Sequence, residues 1–128
     1  MENHVVLVAG DDPDINELIQ MVLETQLGVL VATTSTGQCA SRRALTLQPD
    51  LLILDVAPPE SASVGLVREL KSSPSTEDIP IVALAYEGRA ALAEAGCDDV
   101  LDRSLNLGLF ITTVHRRLAR SELAGRLC

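Results

Sequence analysis

Residues 4–15 read His-Val-Val-Leu-Val-Ala-Gly-Asp-Asp-Pro-Asp-Ile, and the change of pattern inside that stretch decides the fold. Val5-Val6-Leu7-Val8 is an unbroken aliphatic and β-branched run, typical of a strand buried on both faces. Asp12 then offers a helix N-cap and Pro13 suits the first helical position. Ile15, Leu18, Ile19, Val22 and Leu23 follow at the spacing of one helix face, and Gly28 stops the helix. A fully buried strand that feeds an amphipathic helix is how a parallel α/β sheet begins.

The rest of the chain repeats this alternation. Val29–Thr34 reads as a weaker second strand, and Ser35 or Thr36 as the cap of a second helix reaching about Leu47, before Pro49. Asp50–Asp55 is the most apolar strand, followed by a Pro- and Ser-rich loop and a helix from about Val64 to Ser72. Ile79–Ala85 is a fourth strand, and Arg89–Ala95 a short alanine-rich helix closed by Gly96. Cys97–Leu101 is a fifth strand, and a last helix covers about Leu105 to Leu123 with Leu107, Phe110, Ile111, Val114 and Leu118 on one face. The pattern is (βα)₅, which forces a doubly wound five-stranded parallel sheet with right-handed crossovers, a flavodoxin-like architecture in one domain over residues 1–128.

Composition narrows the function. At 128 residues, 47% hydrophobic and 22% charged, the chain can bury a real core. Only 2% of it is aromatic, so stacking platforms for bases or sugars are not expected. A formal charge of -8 repels phosphate backbones and anionic lipid, which argues against nucleic acid and membrane surfaces as partners of this domain. Cys39, Cys97 and Cys128 form neither a disulfide framework nor a zinc motif and read as reduced thiols. No apolar run approaches the roughly 20 residues of a membrane span, and Met1-Glu2-Asn3-His4 does not open a secretory signal. The expected location is cytoplasmic.

Ligands of such sheets bind at the carboxyl ends of the strands. There the sequence places Gly10-Asp11-Asp12, Asp55, Ala85 and Asp102-Arg103. Carboxylates from two strands with a nearby cation suit a hard-oxygen site of the Mg²⁺ type. A carboxylate beside such a metal can attack phosphorus, because the metal screens the repulsion between two anions.

Five blocks carry a family resemblance: Val8–Ile15, Pro49–Asp55, Pro59, Ile79-Pro80-Ile81-Val82 and Ala95–Leu101. In this order and at this spacing the chain resembles the receiver domain of bacterial two-component response regulators. The resemblance implies that Asp55 is the phosphoacceptor for a histidine kinase or phosphotransfer protein. It implies that Mg²⁺ is held by Asp11, Asp55 and the backbone carbonyl of Ala57, with Asp12 as a further possible ligand. It also implies a downstream protein target or output domain, and a surface that in some members forms homodimers.

The chain departs from the family at several of these positions. The first acid of the family's pair falls on Gly10, so metal affinity weaker than usual is expected; Asp12 is expected to cap the helix. The family's Ser or Thr falls on Ala85 and its coupled aromatic on Val100, which removes both members of the usual switch. The family lysine falls on Arg103, whose planar fork suits a bidentate grip on Asp55, and the following proline falls on Ser104. The fourth helix is about four residues short by comparison with the family's spacing.

Other residues read as background. Asp98-Asp99 is expected as a solvated turn, Glu87 as a surface glutamate, and His115 with Arg116, Arg117 and Arg120 as a solvated basic face. The function expected is therefore a receiver phosphorylated on Asp55 with Mg²⁺, and the alternative within the same class is a phosphorylation-independent pseudo-receiver that binds a protein partner. A small metal-dependent phosphatase is a remote third reading, since 128 residues leave no lid to exclude water. Flavin and dinucleotide sites lack their phosphate loops: Gly10-Asp11-Asp12 repels phosphate, and no GxGxxG follows a strand. The chain is expected to be a regulator rather than an enzyme, either complete in itself or a receiver cut from a longer protein.

Overall fold

The computed structural model describes residues 3–104 and 106–127, with side chains as far as Arg120. Ten elements alternate along the chain. They are β1 (Val5–Ala9), α1 (Pro13–Leu27), β2 (Leu30–Thr34), α2 (Gln38–Leu47), β3 (Leu51–Asp55), α3 (Ser61–Ser72), β4 (Ile81–Ala85), α4 (Arg89–Ala95), β5 (Asp99–Asp102) and α5 (Leu107–Leu127). All five strands pair in parallel in the order β2-β1-β3-β4-β5. This is the doubly wound flavodoxin-like sheet the alternation requires, and the strand order reverses between β1 and β3.

The two-residue period of the central strands splits the core. Val6 and Val8 of β1 and Leu51 and Ile53 of β3 pack with Ile19, Phe110 and other residues of α1 and α5. Leu7 and Ala9, with Leu52 and Leu54, face the opposite way and pack with α2, α3 and α4. Every residue of β3 and of β4 is buried, which explains why these strands read as continuous apolar runs. Phe110 is 1% exposed and is the largest fully buried side chain. One ring does the space-filling that other cores share among several.

Helix termini follow local chemistry. Asp12 caps α1 by accepting a hydrogen bond from the Asp14 N–H at 3.0 Å, Pro13 opens the helix, and Gly28 closes it at φ 67°. Expectation and structure differ at α2. Neither Ser35 nor Thr36 caps it; the helix starts at Gln38 after Gly37, with no side-chain cap, because the Thr36 hydroxyl is bonded to Asp11 instead. Helix α3 begins at Ser61, three residues earlier than the apolar pattern alone suggests. Strand β4 begins only at Ile81, since Pro80 has no N–H to give a ladder. Strand β5 lies at Asp99–Asp102 rather than Cys97–Leu101, and Leu107, expected on the buried face of α5, is 50% exposed. Helix α4 is short, at 7 residues.

Two substitutions test this packing by urea unfolding. Phe110→Ala should destabilise the fold by about 3–5 kcal/mol, the cost of emptying an aromatic core site. Asp12→Ala should cost about 1 kcal/mol through loss of the cap, whereas Asp12→Asn, which can still accept from the Asp14 N–H, should be close to neutral.

Candidate functional site

The fold brings three strand ends together. Asp55 closes β3 and is 3% exposed. Its neighbour in the sheet is β4, whose last residue, Ala85, accepts a backbone hydrogen bond from Arg103 at 3.2 Å. That bond pins the loop after β5 against the end of β4. Asp102 turns this loop, because its Oδ1 accepts from both the N–H (2.9 Å) and the hydroxyl (2.8 Å) of Ser104. The two bonds from Ser104, backbone first, hold the Asp102 carboxyl below the usual carboxylate range.

Arg103 then reaches over Asp55. Its Nε donates to Oδ1 at 2.7 Å and its Nη2 donates to Oδ2 at 3.3 Å, so both carboxylate oxygens are engaged by one fork. The guanidinium carbon lies 5.6 Å from the ring centroid of Tyr86, within cation–π range. A buried carboxylate is costly unless paired and hydrogen-bonded, and Arg103, with 22% of its side chain exposed, supplies both.

Gly10 ends the adjacent β1 region and packs directly on this pair. A Cβ at position 10 would stand 2.6 Å from Asn16 Oδ1 and 3.1 Å from the Asp55 Cβ. An acid cannot be added there while Asn16 keeps its place. Asn16 is buried and donates from Nδ2 to the carbonyls of Gly10 (2.8 Å) and Thr34 (3.5 Å), which leaves its Oδ1 without a protein partner.

The acids expected to join Asp55 are dispersed. Asp11 is exposed and accepts from Thr36: its Oδ1 takes the N–H at 3.0 Å, and its two oxygens share the one hydroxyl proton, each 2.9 Å from Oγ1. It lines a separate cleft with Pro13, Asn16 and Glu17. Asp12 stays with Asp55 at the rim of a cleft of about 460 Å³, whose walls are Ile15, Ile19, Val22, Leu84 and Phe110, with Tyr86 and Arg103 at the opening. Ala57 is exposed on the loop after β3. Among the described residues, no three acidic, histidine or cysteine side chains gather into a metal-binding group.

The donor set therefore does not fit a resident divalent cation. One acid of the pair is a glycine, Asp11 is engaged by Thr36, and the charge on Asp55 is met by Arg103. Asp11, expected with Asp55 as a metal ligand, is bonded to Thr36 in this structure.

Background residues also need correction. Asp98 and Asp99 are not a merely solvated turn. Asp98 Oδ2 accepts the Ile81 N–H at 2.7 Å and Lys71 at 3.4 Å, while Asp99 is held by Arg116 (3.1 Å) and Arg117 (2.6 Å). The bond to Asp99, ahead of every other influence, raises the affinity of Arg117 for its proton. The basic face of α5 is thus partly spent on docking the helix to β5. His115 and Glu87 are exposed, as expected.

Two members of the site carried little sequence signal. Asn16 falls three residues before Ile19 and seven before Leu23, so its place on the buried stripe of α1 was readable from spacing. Tyr86 could have been noticed only as the chain's one tyrosine, standing directly after a strand end.

The comparisons with known proteins agree with one another. A family model described as the response regulator receiver domain matches residues 6–115. The chain is 31% identical over 105 residues to a 14.6 kDa protein of the sodA1 3′ region of Leptolyngbya boryana, covering 79% of each. It is 28% identical to the DNA-binding dual master transcriptional regulator RpaA of Synechocystis, over 91% of this chain and 50% of that one. The chain thus spans about half the length of that regulator. Among solved structures, the signal receiver domain of a signal transduction histidine kinase from Syntrophus aciditrophicus superposes with a TM-score of 0.80 at 28% identity, covering 91% of this chain and 90% of that one.

Two measurements probe this environment. Arg103→Ala leaves a buried carboxylate without its partner and should destabilise the protein by about 3 kcal/mol in urea unfolding. Burial first, and Asp98 second, push the Cys97 thiol up to about 12 against the opposing pull of Lys71. Only the thiolate is alkylated, so at pH 8 iodoacetamide should label exposed Cys39 and leave Cys97 unlabelled, as read by peptide mass. In urea, where Cys97 returns to its ordinary range, it should be labelled as well.

Proposed function

This chain belongs to the response regulator receiver domain family, and from that premise we propose that it works as a phosphorylation-independent receiver, a protein-binding module whose resting conformation is fixed by the Asp55–Arg103 ion pair. Receiver domains are regulatory rather than enzymes in the ordinary sense, and the family generally binds Mg²⁺. One observation carries the proposal. The two oxygens that would attack phosphorus or coordinate metal each accept a hydrogen bond from the arginine fork.

The physical argument concerns charge. Transfer of a phosphoryl group to a carboxylate needs a cation that lowers the repulsion between two anions while leaving the attacking oxygen open. Arg103 lowers the charge but engages both oxygens, so a phosphoryl donor must compete with its fork. Ala85, at the family's Ser or Thr position, has no hydroxyl to donate to the product, a bond worth about 1–3 kcal/mol. Signalling then runs through surfaces, to a downstream protein or an output domain, within the cytoplasm.

A second reading keeps Asp55 as the phosphoacceptor of a histidine kinase or phosphotransfer protein, in a Mg²⁺-dependent step. The position of Asp55, at the carboxyl end of the central strand and on the rim of an open cleft, favours it. In that reading Arg103 must first swing away and Asp11 must leave Thr36.

Intact-mass measurement after incubation with acetyl phosphate, with and without Mg²⁺ and beside Asp55→Asn, separates the two. The proposal expects no adduct on the wild-type chain and no heat on titrating Mg²⁺ alone. A single phosphoryl adduct that needs Mg²⁺ and disappears in Asp55→Asn would establish the second reading and overturn the first.

A further inference from the structure

We propose that Tyr86 positions Arg103 on Asp55, and that the row Asp55–Arg103–Tyr86 links the buried ion pair to the surface, where Ala85 and Val100 supply neither a hydroxyl nor an aromatic ring. The inference rests on the Asp55–Arg103 pair as the resting state of the site.

The geometry gives each group one task. The guanidinium has an edge and two faces. Its edge is spent on Asp55 through Nε and Nη2, and its carbon lies 5.6 Å from the centroid of the Tyr86 ring. A long arginine side chain with part of its length in solvent has many rotamers, and a single carboxylate contact leaves it free to pivot about that contact. A second contact, made to a flat ring that attracts cations, restricts the pivot. Exposure rises in order along the row: 3% for Asp55, 22% for the Arg103 side chain and 57% for Tyr86. The row therefore begins in the core and ends in solvent.

Tyr86 is also placed to pass a change onward. It lines the cleft over Asp55 and, on its other side, a smaller cleft bounded by Val56, Pro58, Glu60 and Glu87. Two residues later, Gly88 at φ +71° packs against the Glu60 side chain so closely that a Cβ there would collide with it. The loop carrying Tyr86 is thus tied to the loop that opens α3, and it leads directly into α4 at Arg89. If the ion pair opens, the guanidinium loses its edge partner and keeps only the ring. Tyr86 then shifts with it, and the surface between α3 and α4 shifts in turn.

The test is nuclear magnetic resonance on the whole chain, with the single tyrosine as an optical reporter free of tryptophan background. In the wild type the Arg103 Nε–H, bonded to Asp55, should exchange slowly with water. Tyr86→Phe keeps the ring and should leave that exchange unchanged. Tyr86→Leu should speed it about threefold to tenfold, the scale of a partly exposed cation–π contact, while the amides of the sheet stay in place. Asp55→Asn should move the ring resonances and emission of Tyr86. A protected Nε–H indifferent to Tyr86→Leu, or Tyr86 signals indifferent to Asp55→Asn, would overturn the positioning role alone. An unprotected Nε–H in the wild type would overturn the resting pair as well.

Discussion

A carboxylate 3% exposed, at the end of a strand whose every residue is buried, is the constraint around which the site is arranged. Asp55 has little water to solvate its charge, so the protein must supply hydrogen bonds and an opposite charge. The fold can supply them only from neighbouring strand ends, because those are what lie within reach at the carboxyl edge of a parallel sheet. Arg103 meets both needs with one planar group. The loop that carries it is pinned by the Ala85 carbonyl and turned by Asp102, so that the arginine is delivered rather than left to find Asp55 by diffusion.

The altered positions around Asp55 make sense as a set. Gly10 removes an acid and lets the end of β1 lie against Asp55, and Asn16 fills the space beside it. With that acid absent and Asp11 drawn to Thr36, the negative charge facing Asp55 falls, and one cationic side chain suffices to balance the site. A lysine would offer a point charge to one oxygen at a time. The arginine fork spans both oxygens and presents a face to Tyr86, which an ammonium on a flexible stem cannot do in the same way. The side chains around Asp55 therefore build a site centred on an ion pair.

The scaffold below the site is economical. Alternating side chains of β1 and β3 divide two aliphatic cores between the faces of the sheet, and a single buried phenylalanine anchors α5 on one of them. The middle of the same helix is fastened to β5 by Arg116 and Arg117 on Asp99. Lys71 and the Ile81 N–H meet on Asp98 at the opposite edge of the same turn. These contacts stand at the other end of the sheet from Asp55 and hold β4 and β5 in the register that places Ala85 beside Asp102.

The sequence by itself determined the architecture. Buried strands such as Val5–Ala9 and Leu51–Asp55 and helical stripes such as Ile15–Leu23 are local patterns, and their strict alternation admits one class of sheet. It also put Asp55, Ala85 and Arg103 at strand ends, because the strand boundaries are written in the same apolar runs. Caps and contacts at the site were decided only in three dimensions. Thr36 reads as a helix cap until Asp11, 25 residues away in the chain, takes its hydroxyl. Asp98-Asp99 reads as an exposed turn until α5 brings two arginines to it. Tyr86 carries almost no local signal and Asn16 only its place on the buried stripe of α1, since what matters is the guanidinium above one and the missing Cβ beside the other. Hydrogen bonds and ion pairs are short-ranged and directional, so competition among possible partners is settled by folded geometry, whereas hydrophobic periodicity is settled residue by residue along the chain.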